Sequence, residues 1–285
     1  MGSYQRVMVI GAGQMGSGIV QVAAQAGCNV VMQDIKEEYT ERGKRTIATS
    51  LSRFVKKGQL SEAESTAILG RITTTTDIGQ AETAQIVIEA ATEQMAVKKE
   101  IFKKLDDIAA QDTLLATNTS SLSVTELAAV TKRPEQVIGM HFMNPVPLMK
   151  LVEVIRGLQT SNETFAAIMS FAAELGKTAV AVEDFPGFIS NRILMPMINE
   201  AVYCLYEGVA EAKAIDEIMK LGMNHPMGPL QLADYIGLDT CLYIMEVLYD
   251  GFGDSKYRPC PLLRKYVAAG WLGKKTGRGF YVYES

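Results

Sequence analysis

The stretch VMVIGAGQMGSGIV, residues 7–20, most narrows what this chain can fold into. A short apolar run predicts a strand, G-x-G-x-x-G follows at once, and apolar residues at helical spacing continue to Gly27. A glycine-rich turn by itself is a weak sign. Here a second strand, NVVMQD (29–34), comes next and ends in Asp34, eighteen residues after Gly16. Gly11 suits a tight turn, Gly13 a close approach of backbone to a pyrophosphate, and Gly16 the packing of helix on strand. Together with Gln14 and Met15 they form the expected phosphate cradle of a dinucleotide at a helix N-terminus. Asp34 is placed to accept bonds from an adenosine ribose, and its charge would repel a 2′-phosphate. The expected cofactor is NAD, with NADP the less favoured alternative.

After this opening, strands and helices alternate. A polar-faced segment from 36 to about 70 reads as two helices broken at KKGQLS, followed by strands at 72–77 and 86–90. Next come a helix over 93–110, a strand at 114–119, a short helix near Ser123, and strands at 137–142 and 150–155. A helix over 162–176 and a strand at 178–184 complete the run. This alternation predicts an α/β, Rossmann-type doubly wound, mostly parallel sheet, covered on both faces, spanning residues 1–184. At DFPGFISNRI the texture changes to helical runs, so residues 185–285 are expected to form an all-α substrate or dimerisation domain. Its first helix is apolar around most of its girth, which suits burial against another domain or subunit and favours a homodimer.

A formal net charge of −4 argues against a nucleic-acid or membrane-surface binder. No apolar run approaches the roughly 18 residues of a membrane span. MGSYQR is too short for a leader, and the four scattered cysteines suit reduced thiols, so a cytoplasmic protein is expected. No metal site is expected.

A second stretch, GMHFMNPVPLMKLVEVI (139–155), holds one of the chain's two histidines, His141, and a carboxylate, Glu153, set among apolar residues. In a strand neither face around Glu153 is polar, so the acid is expected to be buried and to need a partner. His141 is one candidate; backbone donors or a lysine at a sheet edge are the other. Gly11, Asp34, Glu89, Asn118 with Ser120, and His141 all fall at or just past the C-terminal end of a predicted strand. Ligands bind at that rim in sheets of this kind. A nicotinamide dehydrogenase needs a base for the hydroxyl proton, a role that suits His141, with Glu153 to balance the imidazolium. Ser120 is placed to hold the substrate oxygen.

The chain resembles the 3-hydroxyacyl-CoA dehydrogenase family, most closely its stand-alone bacterial branch. The resemblance runs through VIGAGQMGSGI, NTSSLS, RPEQVIGMHFMNPVPLMKLVEVI, PGFISNRILMPMINEA, NHPMGPLQLADYIGLD and GWLGKKTGRGFY. It implies NAD-dependent, reversible oxidation of (S)-3-hydroxybutyryl-CoA to acetoacetyl-CoA, with His141 as base and Glu153 orienting it. Ser120 would bond the substrate 3-oxygen, and Asn191 would reach the reacting centre from the second domain. Glu89 and Lys98 would line the nicotinamide side, with Asn118 beside them. Arg53, Lys56 and Lys57, at the end of the long helix, would meet the phosphates of the acyl-CoA.

Plainer readings stand beside these. Ser120 and Asn191 also suit helix starts, Lys98 is one of four neighbouring lysines, and the Arg53 cluster suits a solvated face. His225, in a loop, reads as structural. Two other functions stay open: a dehydrogenase of a non-CoA 3-hydroxy or sugar acid, and a non-catalytic NAD-binding structural protein. The second is expected to lack at least one of Ser120, His141, Glu153 and Asn191.

Overall fold

The computed structural model describes residues 4–284. The chain divides into two compact units, Met1–Asp184 and Phe185–Ser285. In the first, the elements run β1 (Arg6–Ile10), α1 (Gln14–Gln25), β2 (Asn29–Gln33), α2 (Glu37–Lys56), α3 (Glu62–Gly70), β3 (Ile72–Thr75), β4 (Ile86–Glu89), α4 (Met95–Ile108), β5 (Leu114–Thr117), α5 (Val124–Ala128), β6 (Val137–Phe142), β7 (Leu151–Arg156), α6 (Asn162–Glu174) and β8 (Thr178–Glu183).

Local chemistry sets the helix starts. Ser61 and Glu64 form a reciprocal capping box on α3, while Ser123 and Ser161 cap α5 and α6. On α2, acids in the first turn and Arg53 and Lys56 in the last complement the helix dipole.

One eight-stranded sheet has the order β3-β2-β1-β4-β5-β6-β7-β8. The chain lays β2 and β3 on one side of β1 and β4 onward on the other. The switch point therefore lies between β1 and β4, where the glycine loop and Glu89 end their strands. Pairing is parallel from β3 through β6. Beyond that β6 and β7 are antiparallel and β8 runs with β7, so the sheet is mostly parallel, as expected. The eight residues between β6 and β7 are too few for the dozen or so of a parallel crossover, so the chain turns back. Cover on both faces fails at the edge, because β8 is largely exposed. The central strands β4, β5 and β6 are buried along their whole length, as both-face burial requires. Ile19, Val20 and Ala23 of α1 join Val7, Val9, Ile88 and Ala116 in that core. Truncating one such residue, for example Ile88→Ala, costs about 2–5 kcal/mol.

The second unit consists of α7 (Ser190–Tyr206), α8 (Ala212–Gly222), α9 (Pro229–Ile236), α10 (Leu238–Phe252) and α11 (Pro261–Ala268). Met195, Val202, Leu230, Leu238, Ile244, Leu248 and Leu263 form its core. Among the described residues its β-structure is confined to isolated bridges between Gly273 and Arg278 and between Arg278 and Val282. α7 is less completely buried than its composition suggests, for Ile193 stands exposed. No helix among the described residues is long and apolar enough to cross a membrane.

Candidate active site

The turn after β1 shows why two of the glycines are needed and what the third leaves open. Gly11 has φ +103°, and a Cβ there would meet the carbonyl oxygen of Ala90 at 2.5 Å. A Cβ on Gly16 would lie 1.8 Å from the Gly11 carbonyl oxygen, so α1 packs against its own entry turn through bare backbone. Gly13 differs: a Cβ there would meet nothing within 4 Å. Packing within the chain gives no reason for that glycine, whereas a ligand approaching the backbone does. Gly13 is the N-cap of α1, with no side-chain cap and no acid in the first turn. The helix dipole thus offers its positive end to an anion. A cavity of about 730 Å³ opens here, lined by Gly11, Gly13, Gln14, Met15 and Asp34, with Val97, Ile101 and Lys104 from α4.

Asp34 lies one residue beyond β2. Its carboxylate accepts from Ala12 N and from Ile35 N, each at 2.7 Å. Two of its roughly four acceptor positions are thereby used in tying the glycine loop to β2. The residues present fit a dinucleotide.

On β4, Glu89 is fully buried and Lys98 of α4 is 1% exposed. The lysine Nζ donates to both carboxylate oxygens of Glu89, at 2.7 and 2.9 Å. Thr117 Oγ1 and Ala91 N donate to the same carboxylate. Of the four lysines in AVKKEIFKKL, Lys98 is therefore no solvated residue, and it shares the buried face of α4 with Phe102 and Leu105. Removing one partner of a buried pair of this kind costs about 3–5 kcal/mol.

The loop after β5 carries Asn118 and Ser120. Asn118 Oδ1 accepts from Phe142 N at 2.9 Å and so ties the end of β5 to the end of β6. Ser120 is half-buried, and its backbone N–H donates to Glu93 Oε1 at 2.7 Å. Ser123, not Ser120, takes the capping role for α5. Sequence reasoning missed Glu93. Its Oε1 also accepts from Thr119 Oγ1 and from the N–H of Ser121, and its Oε2 lies 3.5 Å from Lys98 Nζ. It sits in a loop, where no periodicity marks a residue; the one available signal was an acid between Glu89 and Lys98.

His141 and Glu153 are direct partners in the antiparallel β6–β7 register. His141 Nδ1 lies 2.7 Å from Glu153 Oε2, with the residues 6% and 2% exposed. Glu153 is not at a sheet edge, since β7 is flanked by β6 and β8. The plainer account of that acid therefore fails, and its partner is the imidazole.

The basic cluster separates. Arg53 lines two adjoining grooves, of about 560 and 240 Å³, between α2 and the loop that follows β6; Lys57 lines the smaller. Ser50, Pro145 and Pro147 are shared between them, and Phe54 joins in the smaller. Lys56 is exposed and lines neither. In the second unit, Asn191 is buried in the first turn of α7, whose N-cap is Ile189. His225 lies between α8 and α9.

Residues 6–185 match the family model described as the NAD binding domain of 3-hydroxyacyl-CoA dehydrogenase, and residues 187–283 match its C-terminal domain. The chain is 64% identical over 280 residues to a probable 3-hydroxybutyryl-CoA dehydrogenase of Bacillus subtilis, with 98% of each chain covered. It is 42% identical to the mitochondrial hydroxyacyl-coenzyme A dehydrogenase of Homo sapiens, covering 98% of this chain and 91% of that one. The crystal structure of (S)-3-hydroxybutyryl-CoA dehydrogenase PaaH1 from Ralstonia eutropha aligns with a TM-score of 0.97 at 54% identity, over 99% of this chain and 100% of that one.

Proposed function

The chain belongs to the 3-hydroxyacyl-CoA dehydrogenase family, and from that premise we propose how its residues divide the work. The protein is an oxidoreductase that interconverts 3-hydroxyacyl-CoA and 3-oxoacyl-CoA, with 3-hydroxybutyryl-CoA and acetoacetyl-CoA as its pair. The bound nicotinamide dinucleotide supplies the hydride acceptor or donor. Backbone amides from Gly11 to Gly16 hold its pyrophosphate, and Asp34 holds the adenosine ribose and disfavours a 2′-phosphate, which makes NAD the preferred form.

His141 is the base in oxidation and the acid in reduction. Donation from Nδ1 to Glu153 fixes the tautomer whose Nε2 lone pair receives the substrate hydroxyl proton. Glu153 then balances the imidazolium where little water reaches it. Ser120 holds the substrate oxygen as it becomes a carbonyl, with Glu93 fixing the loop that presents it. Asn191 is assigned to the same oxygen on the family resemblance alone. Glu89 and Lys98 act on the nicotinamide side from beneath the surface, as a buried pair that stiffens the loop carrying Glu93. Arg53 and Lys57 meet the phosphates of CoA in the groove beside α2, with exposed Lys56 adjoining them in the same helical turn. Exposed apolar residues on the second unit, Ile193, Ile218 and Leu221, support a homodimer. Four free thiols support a reducing compartment such as the cytoplasm.

The observation that carries this reading is the 2.7 Å contact of His141 with Glu153, two buried groups set opposite each other by strand register. The test is turnover of acetoacetyl-CoA against free acetoacetate, with NADH and NADPH in parallel. Preference for the thioester and for NADH is expected. Equal turnover of the free acid would remove the CoA groove, and equal use of NADPH would remove the role of Asp34.

A further inference from the structure

We propose that Lys177 is a positioning residue for the CoA portion of the substrate, acting through the loop between β6 and β7; this rests on the groove reading above. The loop, residues 143–150, leaves β6 two residues after His141 and forms one wall of both grooves through Pro145 and Pro147. Its first half is anchored to the cofactor helix. Gln14 Nε2 donates to Asn144 Oδ1 at 3.0 Å, and buried Val146 lies so close to Gly18 of α1 that a Cβ there would come within 2.7 Å of it.

The second half lacks such anchors. Leu148 and Met149 are exposed, although Leu148 completes the wall of the smaller groove. What orders this half is a turn and a cation. Leu148 N and Met149 N both donate to the Pro145 carbonyl. Lys177, in the short link between α6 and β8, sends its Nζ to the carbonyl oxygens of Val146 at 2.6 Å and Met149 at 2.9 Å. Among the described residues it forms no ion pair, so its charge is directed at these two carbonyls. Burial also lowers its pKa, as expected for an ammonium held away from water without an acid beside it. Charge-assisted bonds to two points of one turn fix that turn as a unit. The wall so fixed faces Arg53 and Lys57 across the smaller groove.

A fastening that served stability alone would leave substrate recognition unchanged once the protein is folded. If Lys177 holds the groove wall, its loss must instead appear in KM for a substrate that fills the groove. The experiment compares wild type, Lys177→Met and Lys177→Arg with two thioesters of the same acyl group, acetoacetyl-CoA and acetoacetyl-N-acetylcysteamine, which lacks the nucleotide. Lys177→Met should raise KM for acetoacetyl-CoA about tenfold, with kcat and KM for NADH within about twofold of wild type. With the truncated thioester the two proteins should agree within about twofold. Lys177→Arg, which keeps charge and donors, should recover most of the loss.

An unchanged KM for acetoacetyl-CoA would overturn the proposal, as would an equal loss with both thioesters, which would place the effect at His141. Arg53→Ala, run in parallel, separates this from the reading beneath it. If Arg53→Ala raises KM and Lys177→Met does not, the Lys177 inference alone fails; if neither does, the groove assignment fails with it. Should Lys177→Met not accumulate as folded protein, Lys177→Gln, too short to reach both carbonyls, carries the same comparison.

Discussion

In the first unit, buried Glu89, Asp106 and Glu153 each face a cation or an imidazole: Lys98, Arg133 and His141. In the second, Asp216 and Asp234 are as deeply buried, yet among the described residues they are met by neutral donors. Asp216 accepts from Leu230 N, Gln231 N and the Tyr281 hydroxyl. Asp234 accepts from Phe280 N, Tyr281 N and the Tyr283 hydroxyl. For Glu153 the proposed mechanism supplies a reason for the difference. An imidazole gains and loses a proton, and a carboxylate beside it makes the charged state affordable. Backbone amides and phenols cannot change charge at neutral pH; an acid facing them pins chain to chain, here the C-terminal segment onto α8 and α9. Burial raises the pKa of Asp234 despite its donors, and it raises the phenols of Tyr281 and Tyr283 as well.

The contrast can be broken in order of effect. His141→Ala should lower kcat by about 10²–10⁴-fold while KM changes little. Near-normal turnover would place Glu153 in the same structural class as the second unit's acids. Asp234→Ala leaves three donors unmatched and should cost about 3 kcal/mol in denaturant unfolding. The folded fraction should keep its cofactor affinity, read by NADH fluorescence titration; an intact stability would deny the pinning role. Glu153→Gln keeps shape but removes charge, and should lower kcat by about 10–100-fold with NADH affinity preserved. A loss of NADH binding instead would make the acid a cofactor support.

The smallest effect is a matter of sign. Because the folded pKa of Asp234 lies above the unfolded value of about 3.9, its titration favours the fold most in acid. That contribution is lost as pH rises through the raised value. The stability advantage of wild type over Asp234→Ala should therefore shrink from acid toward neutral pH, as measured by urea unfolding across that range. An advantage that grew instead would mean that the amide donors outweigh burial and hold the ionised form.

Much of this was legible before any coordinates. The phosphate turn could be read because steric demand at Gly11 and Gly16 leaves a pattern in residue type. The meeting of His141 and Glu153 could be suspected because a buried acid needs a partner and the chain offers few. The polarity of β7 was legible in principle, through a connection too short for a crossover, but a mostly parallel sheet leaves open which strand runs the other way. Lys98 stands out by phase, four residues before Phe102 and seven before Leu105, but the family resemblance, not the phase, singled it out among lysines alike in type. Glu93 and Lys177 were hidden, since each acts through backbone groups of a distant loop. Sequence carries no record of which carbonyls or amides a fold will bring near.

The reversal of chain direction after β6 has one more consequence. Two residues facing each other across an antiparallel ladder are held by the main-chain bonds of three neighbouring strands. The contact of His141 with Glu153 is therefore present in the resting protein, and the relay proposed for it would not wait for a thioester. No lid has to swing and no helix has to slide to assemble it, and its geometry should persist to whatever temperature the sheet itself survives.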